Sequence, residues 1–422
     1  MRVVICGAGI AGLALAGRLH NTLGWDVIVL EKAPRPRTEG CMIDFFGPGY
    51  DAAEAMGVLP SLEELSHRVS EAVLVDECGD RLAGLCYDRF ARSLGGRLLS
   101  IMRPDLELAL RERLSLAVRL RFGSGPSRIE ARADGVRVIL TDGDSIDADL
   151  LVGADGVHST VRALVFGEEA RYVHHLGYHT ASFTFDDPET HAEVGDRFCL
   201  TDTVGRQLGL YALRGDTVAV VAAYRATETR PPGDARAALR HEYGTLGWLV
   251  PRVLANCPPP CRMYHDHVAQ TVLPSWSHGR VVLVGDACQA VSPLAGQSAS
   301  LAVGAAYVLA DQLACASRIE DALYGYERLW RPVVTREQRA ARRAARWFVP
   351  ASPRRLRVRR AALRICGLPG APLLFGNPLV GRQGPPLSRL ASIPSWVTEK
   401  RGPGTAREGA VRRSPWNALR GG

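Results

Sequence analysis

The sequence has very little lysine and no cysteine spacing that marks a disulfide framework. Only two of its 52 basic residues are lysines, and its ten cysteines are scattered along 422 residues. The one close pair, Cys257 and Cys261, differs in spacing from the C-x2-C of zinc sites, and no second pair follows. We therefore expect reduced thiols in a cytoplasmic protein, and we predict no metal site.

The sequence also lacks the pattern of a secretion signal. The segment Met1–Gly7 enters an apolar run without a polar spacer or a small-residue cleavage site, so we expect a first strand there. A long uncharged run does occur, because the 24 residues between Asp286 and Asp311 carry no charge. Its first half is rich in Gln, Ser, Pro and Gly, and the part after Gly296 is too short to cross a bilayer. We expect a buried helix and no transmembrane segment.

Charge is distributed unevenly along the chain. The net charge is +8, yet residues 331–422 hold 20 basic and 3 acidic residues, which leaves −9 on the rest. Such a basic region raises affinity for nucleic acids and anionic membranes. Its arginine clusters over 336–343 and 354–360 contain no interleaved aromatic residues, and the region has no nucleic-acid-reading module, so we expect a solvated or intramolecular role and no nucleic-acid partner. A non-catalytic protein that binds anions or membranes through this region stays an alternative.

The arginines of this basic region form two groups. Arg336, Arg339 and Arg343 share one face of a predicted helix, and a denser cluster follows within 354–360. The spacing predicts helices over 321–348 and 354–367. Beyond 391 the sequence is rich in Gly, Pro, Arg and Ser, which predicts a flexible basic tail.

The hydrophobic pattern of the N-terminal part predicts a strand, a helix and a strand over 2–6, 10–23 and 26–30. A strand–helix–strand unit implies a parallel sheet. The pattern predicts a loop or bent connection over 34–50. It predicts one helix over 51–66 and a second helix over 103–117. Strand-like runs then dominate 178–273, which predicts an antiparallel sheet inserted into an α/β domain.

A glycine-rich turn, Gly7–Gly12, follows the first predicted strand and opens the first predicted helix. Gly7 permits the tight turn, Gly9 lets a pyrophosphate approach the backbone, and Gly12 lets helix and strand pack closely. Glu31 ends the second strand, where its carboxylate accepts hydrogen bonds from ribose hydroxyls. The unit predicts binding of the ADP half of FAD or NAD.

A second motif ends a predicted strand at Asp155. Ser159 or Thr160 is suited to cap the helix that follows, and this helix carries Arg162 in its first turn. Two interpretations are open: a ligand-binding turn, or a structural turn in which Arg162 pairs with Asp155.

A third motif places Gly285 and Asp286 after the strand 280–284, at a sheet edge where α/β folds bind ligands. Pro293 and Gly296 shape the loop before the long helix, so that free backbone N–H groups point outward. Such a loop binds electron-rich oxygens or the edge of a flavin ring. For Asp286 alone, a structural role is as compatible with the sequence.

These three motifs, in this order and spacing, resemble the class A FAD-dependent monooxygenases, the group of para-hydroxybenzoate hydroxylase, over residues 1–375. Arg103, in Arg-Pro-Asp-Leu, is similar to the family's arginine that contacts FAD. Residues 37–44 are similar to a segment of tetracycline-inactivating members, in which the arginine is linked to NADPH and the aspartate to FAD. The resemblance thus implies FAD-binding roles for Gly7, Gly9, Ala11, Gly12, Glu31, Lys32, Arg37, Asp44, Arg103, Asp155, Gly285, Asp286, Pro293, Gly296 and Gln297.

The resemblance implies an α/β fold with a Rossmann-like FAD-binding domain, a mixed parallel sheet, an inserted antiparallel-sheet substrate domain and C-terminal helices. The expected FAD-binding domain comprises 1–72, 97–175 and 274–345. The expected substrate domain comprises 73–96 and 176–273, followed by a helical segment over 346–390 and the tail over 391–422. Two departures stand out, because members often have Gly where Ser298 stands and an acidic pair where Gly304 and Ala305 stand.

The implied activity is oxygenation. NAD(P)H reduces the flavin, O2 adds at its C4a carbon, and the hydroperoxide transfers one oxygen atom to a small aromatic or polyketide-like substrate, as in antibiotic biosynthesis. A redox-neutral cyclase or isomerase on the same scaffold is the alternative. No catalytic base is identifiable, and the candidates are more often structural residues: His179, His191, His265, Tyr211 and Tyr224. We expect a monomer or a dimer.

Overall fold

The computed structural model describes residues 1–292, 294, 296–367 and 387. In chain order the strands are β1 (Arg2–Cys6), β2 (Asp26–Glu31), β3 (Met42–Phe46), β4 (Glu71–Val75), β5 (Arg81–Cys86), β6 (Leu98–Met102), β7 (Arg119–Phe122), β8 (Pro126–Ala131), β9 (Val136–Leu140), β10 (Ser145–Ala148), β11 (Leu150–Gly153), β12 (Val173–Asp186), β13 (Arg197–Thr203), β14 (Arg206–Ala212), β15 (Thr217–Arg225), β16 (Tyr264–Thr271), β17 (Ser277–His278) and β18 (Val281–Leu283). The helices are α1 (Ile10–Leu23), α2 (Pro48–Ala55), α3 (Leu59–Leu65), α4 (Tyr87–Ser93), α5 (Arg103–Glu112), α6 (Thr160–Val165), α7 (Pro188–Val194), α8 (Ala235–Tyr243), α9 (Val250–Ala255), α10 (Asp286–Gln289), α11 (Ser298–Cys315), α12 (Ile319–Phe348) and α13 (Pro353–Gly367).

The first sheet has the strand order β17-β18-β11-β1-β2-β7. Its strands pair in parallel except for β17, which pairs antiparallel with β18. Val3, Val4 and Ile5 of β1 are fully buried, as expected for a central strand covered on both faces. The carboxyl ends of β1, β2, β11 and β18 therefore meet at one edge of the sheet, where an α/β fold binds its ligand.

A second sheet has the order β16-β12-β15-β14-β13-β4-β5, and it is antiparallel except between β13 and β4. Apolar residues of α8 and α9 share a buried core with one face of this sheet, among them Leu239, Tyr243 and Val253. The strands β8, β9 and β10 form a separate antiparallel sheet, and β3 pairs with β6. The predicted α/β fold with a parallel sheet and separate antiparallel strands is confirmed.

The uncharged run between Asp286 and Asp311 contains the core helix α11. This helix is long and apolar enough to pass a length-and-composition test for a membrane span, but 78% of it is buried within the protein. It packs against α1, α2 and α12. The helix α11 is therefore buried as a core helix is.

The basic C-terminal region forms α12 and α13. The helix α13 packs against β5, and two of its arginines bind Asp202 of β13: Arg359 through a buried ion pair and Arg360 at 2.8 Å. These contacts give two residues of the 354–360 cluster an intramolecular role. The predicted tail over 391–422 lies outside the described residues.

Three local predictions were wrong. The predicted loop over 34–50 contains β3 and the start of α2, because β3 finds its partner only in the distant β6. The single helix predicted over 51–66 is two helices, since Gly57 has a φ of +71° and Pro60 opens α3. The helix predicted over 103–117 ends at Glu112.

Candidate active site

The glycine-rich turn brings backbone segments into direct contact at the edge of the parallel sheet. Gly7 has a φ of +111°, and a Cβ on it would stand 2.3 Å from the carbonyl oxygen of Ala154. A Cβ on Gly12 would stand 1.9 Å from the carbonyl oxygen of Gly7. A Cβ on Gly9 would approach only side-chain tips, the nearest being Oε1 of Glu107 at 3.7 Å. The space in front of Gly9 is therefore open to a ligand.

Glu31 lies beside this turn at the end of β2. One carboxylate oxygen accepts a hydrogen bond from the N–H of Ala8, and the other accepts from the N–H of Ala33, both at 2.9 Å. Each oxygen keeps a lone pair for a further donor, as recognition of ribose hydroxyls requires. Lys32 follows with an exposed side chain.

Arg103 opens α5 on the far side of the open space. Its guanidinium lies 3.1 Å from the carboxylate of Glu107 and 3.9 Å from the Cβ position of Gly9. Burial lowers the pKa of Arg103, but Glu107, followed by smaller contributions from Cys41, Tyr264 and Asp286, outweighs it and raises the pKa overall. Burial raises the pKa of Glu107, while Arg103 and then Arg37 oppose that rise. Arg37 itself is exposed.

Asp286 begins α10 after β18. Burial raises the pKa of its carboxyl, and Arg103 opposes that rise. Gly285 has a φ of +64°, and a Cβ on it would stand 2.7 Å from the Cβ of Ala11. The third motif thus packs directly on the first helix. The glycine-rich turn, Arg103 and the start of α10 are therefore neighbours at this edge of the sheet.

Asp155 has a structural task at this edge. It accepts hydrogen bonds from the Ser159 hydroxyl and, at 3.0 Å, from the N–H of Val161, which fixes the start of α6. The ion pair suggested between Asp155 and Arg162 is wrong. The buried Arg162 pairs instead with Glu169 at 3.2 Å, and it also donates to two backbone carbonyls, because its side chain runs toward α10.

Next to this edge lies a cavity of about 1350 Å³. Gly296 and Gln297 border it from the loop before α11, whereas Pro293 lies outside the described residues. The sheet of β12–β16 forms one wall, β3 and α4 form a second, and α12 with α13 forms a third. Its aromatic lining residues are Phe46, Tyr87, Phe90, Phe198, Tyr211, Tyr264, Trp347 and Phe348. Phe198 and Tyr211 stack with their ring centroids 4.0 Å apart.

Asp44 lines this cavity from β3. It accepts hydrogen bonds from the hydroxyls of Tyr87 at 3.0 Å and Ser100 at 2.8 Å. Burial raises the pKa of Asp44, and these two hydrogen bonds oppose the rise. Burial also raises the pKa of Tyr211, which hydrogen-bonds to Tyr87. A chain of hydroxyls along the cavity wall, from Tyr211 through Tyr87, therefore ends at the Asp44 carboxyl.

The wall formed by α12 is rich in positive charge and hydrogen-bond donors. Arg336, Arg339 and Arg343 all line the cavity, as their shared helical face suggested. Arg336 is paired with Glu337, whereas Arg339 and Arg343 form no ion pair within the described residues.

Two further groups that line the cavity were not foreseen from the sequence. Trp347 Nε1 on α12 and Ser182 Oγ on β12 are buried and have no hydrogen-bond partner among the residues described. Neither belongs to a recognisable motif.

Of the five candidate bases, one lines the cavity and four form structural hydrogen bonds. Tyr211 is the member that lines the cavity. Tyr224 hydrogen-bonds to His265 at 2.9 Å, and His179 and His191 bond to backbone carbonyls. These four therefore have the structural roles that were the alternative.

The two departures from the family pattern lie on α11. A Cβ on Gly304 would stand 2.7 Å from the ring of Trp330, and Ala305 is fully buried. An acidic pair would not fit here, since Trp330 fills the space that such side chains need. Ser298 is the first residue of the helix.

The described residues fit FAD. The backbone in front of Gly9 is open for a pyrophosphate, Glu31 has free acceptor lone pairs for a ribose, and Gly296 and Gln297 line the neighbouring cavity. An α/β fold binds a dinucleotide at the carboxyl edge of its parallel sheet, where Gly9 and Glu31 lie.

Comparison with known proteins agrees with this geometry. The family described as FAD binding domain matches residues 1–341. An uncharacterised protein of Mycobacterium tuberculosis is 34% identical over 323 residues, which cover 74% of this chain and 85% of that protein. The 3-amino-4-hydroxybenzoate 2-monooxygenase of Streptomyces cremeus is 30% identical and covers 82% of this chain and 88% of its own.

Among solved structures, tetracycline destructase Tet(51) superposes with a TM-score of 0.74 at 25% identity, covering 86% of this chain and 95% of its own. The family match spans most of the chain. The chain belongs to the class A FAD-dependent monooxygenases.

Proposed function

We propose that this monooxygenase uses NAD(P)H and O2 to hydroxylate or epoxidise a small aromatic or polyketide-like molecule that carries an anionic oxygen. For a hydroxylation, one oxygen atom enters a substrate C–H bond, the other leaves as water, and NAD(P)H supplies two electrons. The observation that carries the proposal is the cavity between the flavin-loop residues Gly296 and Gln297 and the arginines of α12.

FAD, when bound, accepts electrons from NAD(P)H and activates O2. The task of this chain's residues is to hold the cofactor and position the substrate. Glu31 and the glycine-rich turn would hold the ADP half, and Arg103 and Asp286 would border its middle. Lys32 and Arg37 are exposed and would reach the cofactor from solvent, and Asp155 would hold the start of α6 beside it.

The cavity has one aromatic side and one cationic side. The stacked pair Phe198 and Tyr211 offers an apolar platform for a planar ring. Arg339 and Arg343 offer fork-shaped donors to a carboxylate, phenolate or enolate at the opposite wall. Such a substrate is electron-rich, which is what transfer of an electrophilic oxygen requires.

The chain Tyr211, Tyr87 and Asp44 would receive a phenolic proton from the substrate. Its hydroxyls reach a buried carboxyl whose pKa burial has raised. A carboxyl with a raised pKa is better matched to proton exchange near neutral pH than an exposed one. We propose Tyr211 as the group that touches the substrate.

The names of two relatives support the substrate class. One acts on an amino-hydroxybenzoate, an aromatic acid, and the other is a tetracycline destructase, named for a polyketide. We further propose a cytoplasmic location, because that is where reduced nicotinamide is available to an enzyme of this kind.

The test is stimulation of NAD(P)H oxidation by candidate substrates. Purified protein is mixed with NADH or NADPH, and O2 uptake is followed with hydroxybenzoates, amino-hydroxybenzoates, tetracyclines and matched neutral phenols. Anionic aromatic compounds should stimulate oxidation and yield a product heavier by one oxygen atom. A flavin that neither NADH nor NADPH reduces would instead support the redox-neutral alternative.

A further inference from the structure

We propose that a divalent transition-metal ion of the zinc type binds between the loop joining β11 to α6 and the strand β16, held by His158, Asp266 and His267. One ligand atom from each residue lies within 4.8 Å of the other two. None of the three lines the substrate cavity. The site is therefore separate from the substrate cavity.

The spacing of the three ligand atoms suits a small tetrahedral ion. Oδ1 of Asp266 lies 3.4 Å from Nε2 of His158 and 3.1 Å from Nδ1 of His267. Zinc binds nitrogen and carboxylate oxygen at about 2.0–2.2 Å, which puts neighbouring ligand atoms roughly 3.3–3.5 Å apart. Small side-chain adjustments would accommodate the ion.

Glu169 orients the first ligand. Its carboxylate oxygens lie 3.0 and 3.2 Å from Nδ1 of His158. With a proton on each ring nitrogen, His158 donates to both Glu169 and Asp266, and a metal ion would replace the proton between Nε2 and the Asp266 carboxylate. A carboxylate behind a histidine ligand is the usual support of protein metal sites.

Two more histidines adjoin the cluster. The ring centroid of His175 is 6.0 Å from that of His267 and 5.7 Å from that of His179. Nε2 of each faces a backbone carbonyl, and Nδ1 of each is buried with no hydrogen-bond partner in the described part of the chain. The pairing of β12 with β16 shifts register between these two histidines. Such irregularities concentrate at functional positions.

The donor set defines the class of ion. Two imidazoles and one carboxylate suit Zn2+, Co2+, Ni2+ or Cu2+ rather than Ca2+ or Mg2+, which prefer oxygen ligands alone. The side chain of His158 is 46% exposed, so the ion would reach the site from solvent and keep at least one water. Because His158 follows the parallel sheet and Asp266 lies in the antiparallel sheet, the ion would tie the two sheets together.

The experiment titrates Co2+ into the FAD-loaded protein after treatment with EDTA and desalting. Ligand-field absorption to the red of the flavin band reports binding, and Zn2+ competes for the site. His158→Gln and His267→Gln remove one ligand each, and His241→Gln, at an exposed position of α8, is the matched control. The native chain and H241Q should bind one Co2+, and each ligand variant should lose affinity by at least about tenfold.

Thermal unfolding supplies a second readout. Zn2+ should raise the Tm of the native chain and H241Q but not of H158Q or H267Q. Absence of stoichiometric Co2+ binding, or equal affinity in all four proteins, would overturn the proposal. Flavin content and NAD(P)H oxidation are measured on the same samples, so that failure of the metal site is distinguished from failure of the monooxygenase assignment.

Discussion

The carbonyl oxygen of Gly7 lies 1.9 Å from the point where a Cβ would stand on Gly12. The first strand and the first helix therefore meet through backbone alone. This contact holds the turn in the shape that leaves Gly9 open toward Arg103. The cofactor site therefore depends on the absence of a Cβ at Gly12.

Substitution at Gly12 should therefore abolish flavin binding. We expect Gly12→Ala to be purified without FAD, because the added methyl displaces the turn. Gly17→Ala is the control on the same helix, since its Cβ would meet Leu114 at an ordinary 3.4 Å. G17A should retain FAD and gain up to about 1 kcal/mol of stability from helix propensity. The ratio of flavin to protein absorbance measures the FAD content of both variants, and FAD retained in G12A would contradict the account.

Glu31→Gln should weaken FAD binding about tenfold, or roughly 1.4 kcal/mol. The carboxylate accepts from the N–H groups of Ala8 and Ala33, and an amide would turn an NH2 group toward one of these donors. The exposed Glu112→Gln on α5 should leave affinity unchanged. Quenching of FAD fluorescence during titration of the apoprotein gives the FAD dissociation constant of each variant.

Loss of the arginines on α12 should affect anionic substrates selectively. We expect Arg339→Gln with Arg343→Gln to raise KM for an anionic substrate by about tenfold and to leave KM for a neutral phenol unchanged. Arg346→Gln is the control, because Arg346 is exposed on the same helix and does not line the cavity. Equal changes for charged and neutral substrates would argue against the proposed anion site.

Asp202→Asn should loosen the docking of α13. Asp202 is buried and binds both Arg359 and Arg360, so its removal leaves the buried Arg359 guanidinium without a charged partner. Breaking one side of a buried ion pair costs about 3–5 kcal/mol. Urea unfolding should show a loss of that order, while the exposed Asp216→Asn should show none.

Acid should weaken the anchoring of α7. Arg252, then Thr190, lowers the pKa of Asp187 to about 2. Because the pKa of Asp187 is lower in the folded chain than in the unfolded chain, the group stabilises the fold at pH values above 3.8. This stability is lost as the pH falls from 3.8 toward 2. The free energy of unfolding of the native chain should therefore fall between pH 5 and 2.5. Arg252→Gln should show a shallower fall, and an unchanged slope would contradict the pairing.

The sequence was most informative where structure is local. The unit β1–α1–β2 follows from contiguous periodicity and glycines, and so does the turn at Gly7–Gly12. The strand β3 was missed because its partner β6 lies more than 50 residues later in the chain. The partner of Arg162 was misjudged because Asp155 caps α6, which leaves the buried guanidinium to pair with Glu169.

The least predictable features combine distant segments. The cavity joins residues of β3, β12, β14 and α12, and no spacing along the chain relates Ser182 to Trp347. His158 meets Asp266 across 108 positions, so neither shows a metal-binding pattern in the sequence. Only the folded chain places these side chains together.

The most direct test of the account is the flavin content of the purified protein. The convergence of Glu31, Arg103 and Asp286 around Gly9 predicts one tightly bound FAD per chain, with a flavin absorbance spectrum that bleaches when NADH or NADPH is added without O2. A colourless protein that does not take up FAD from solution would contradict the central claim.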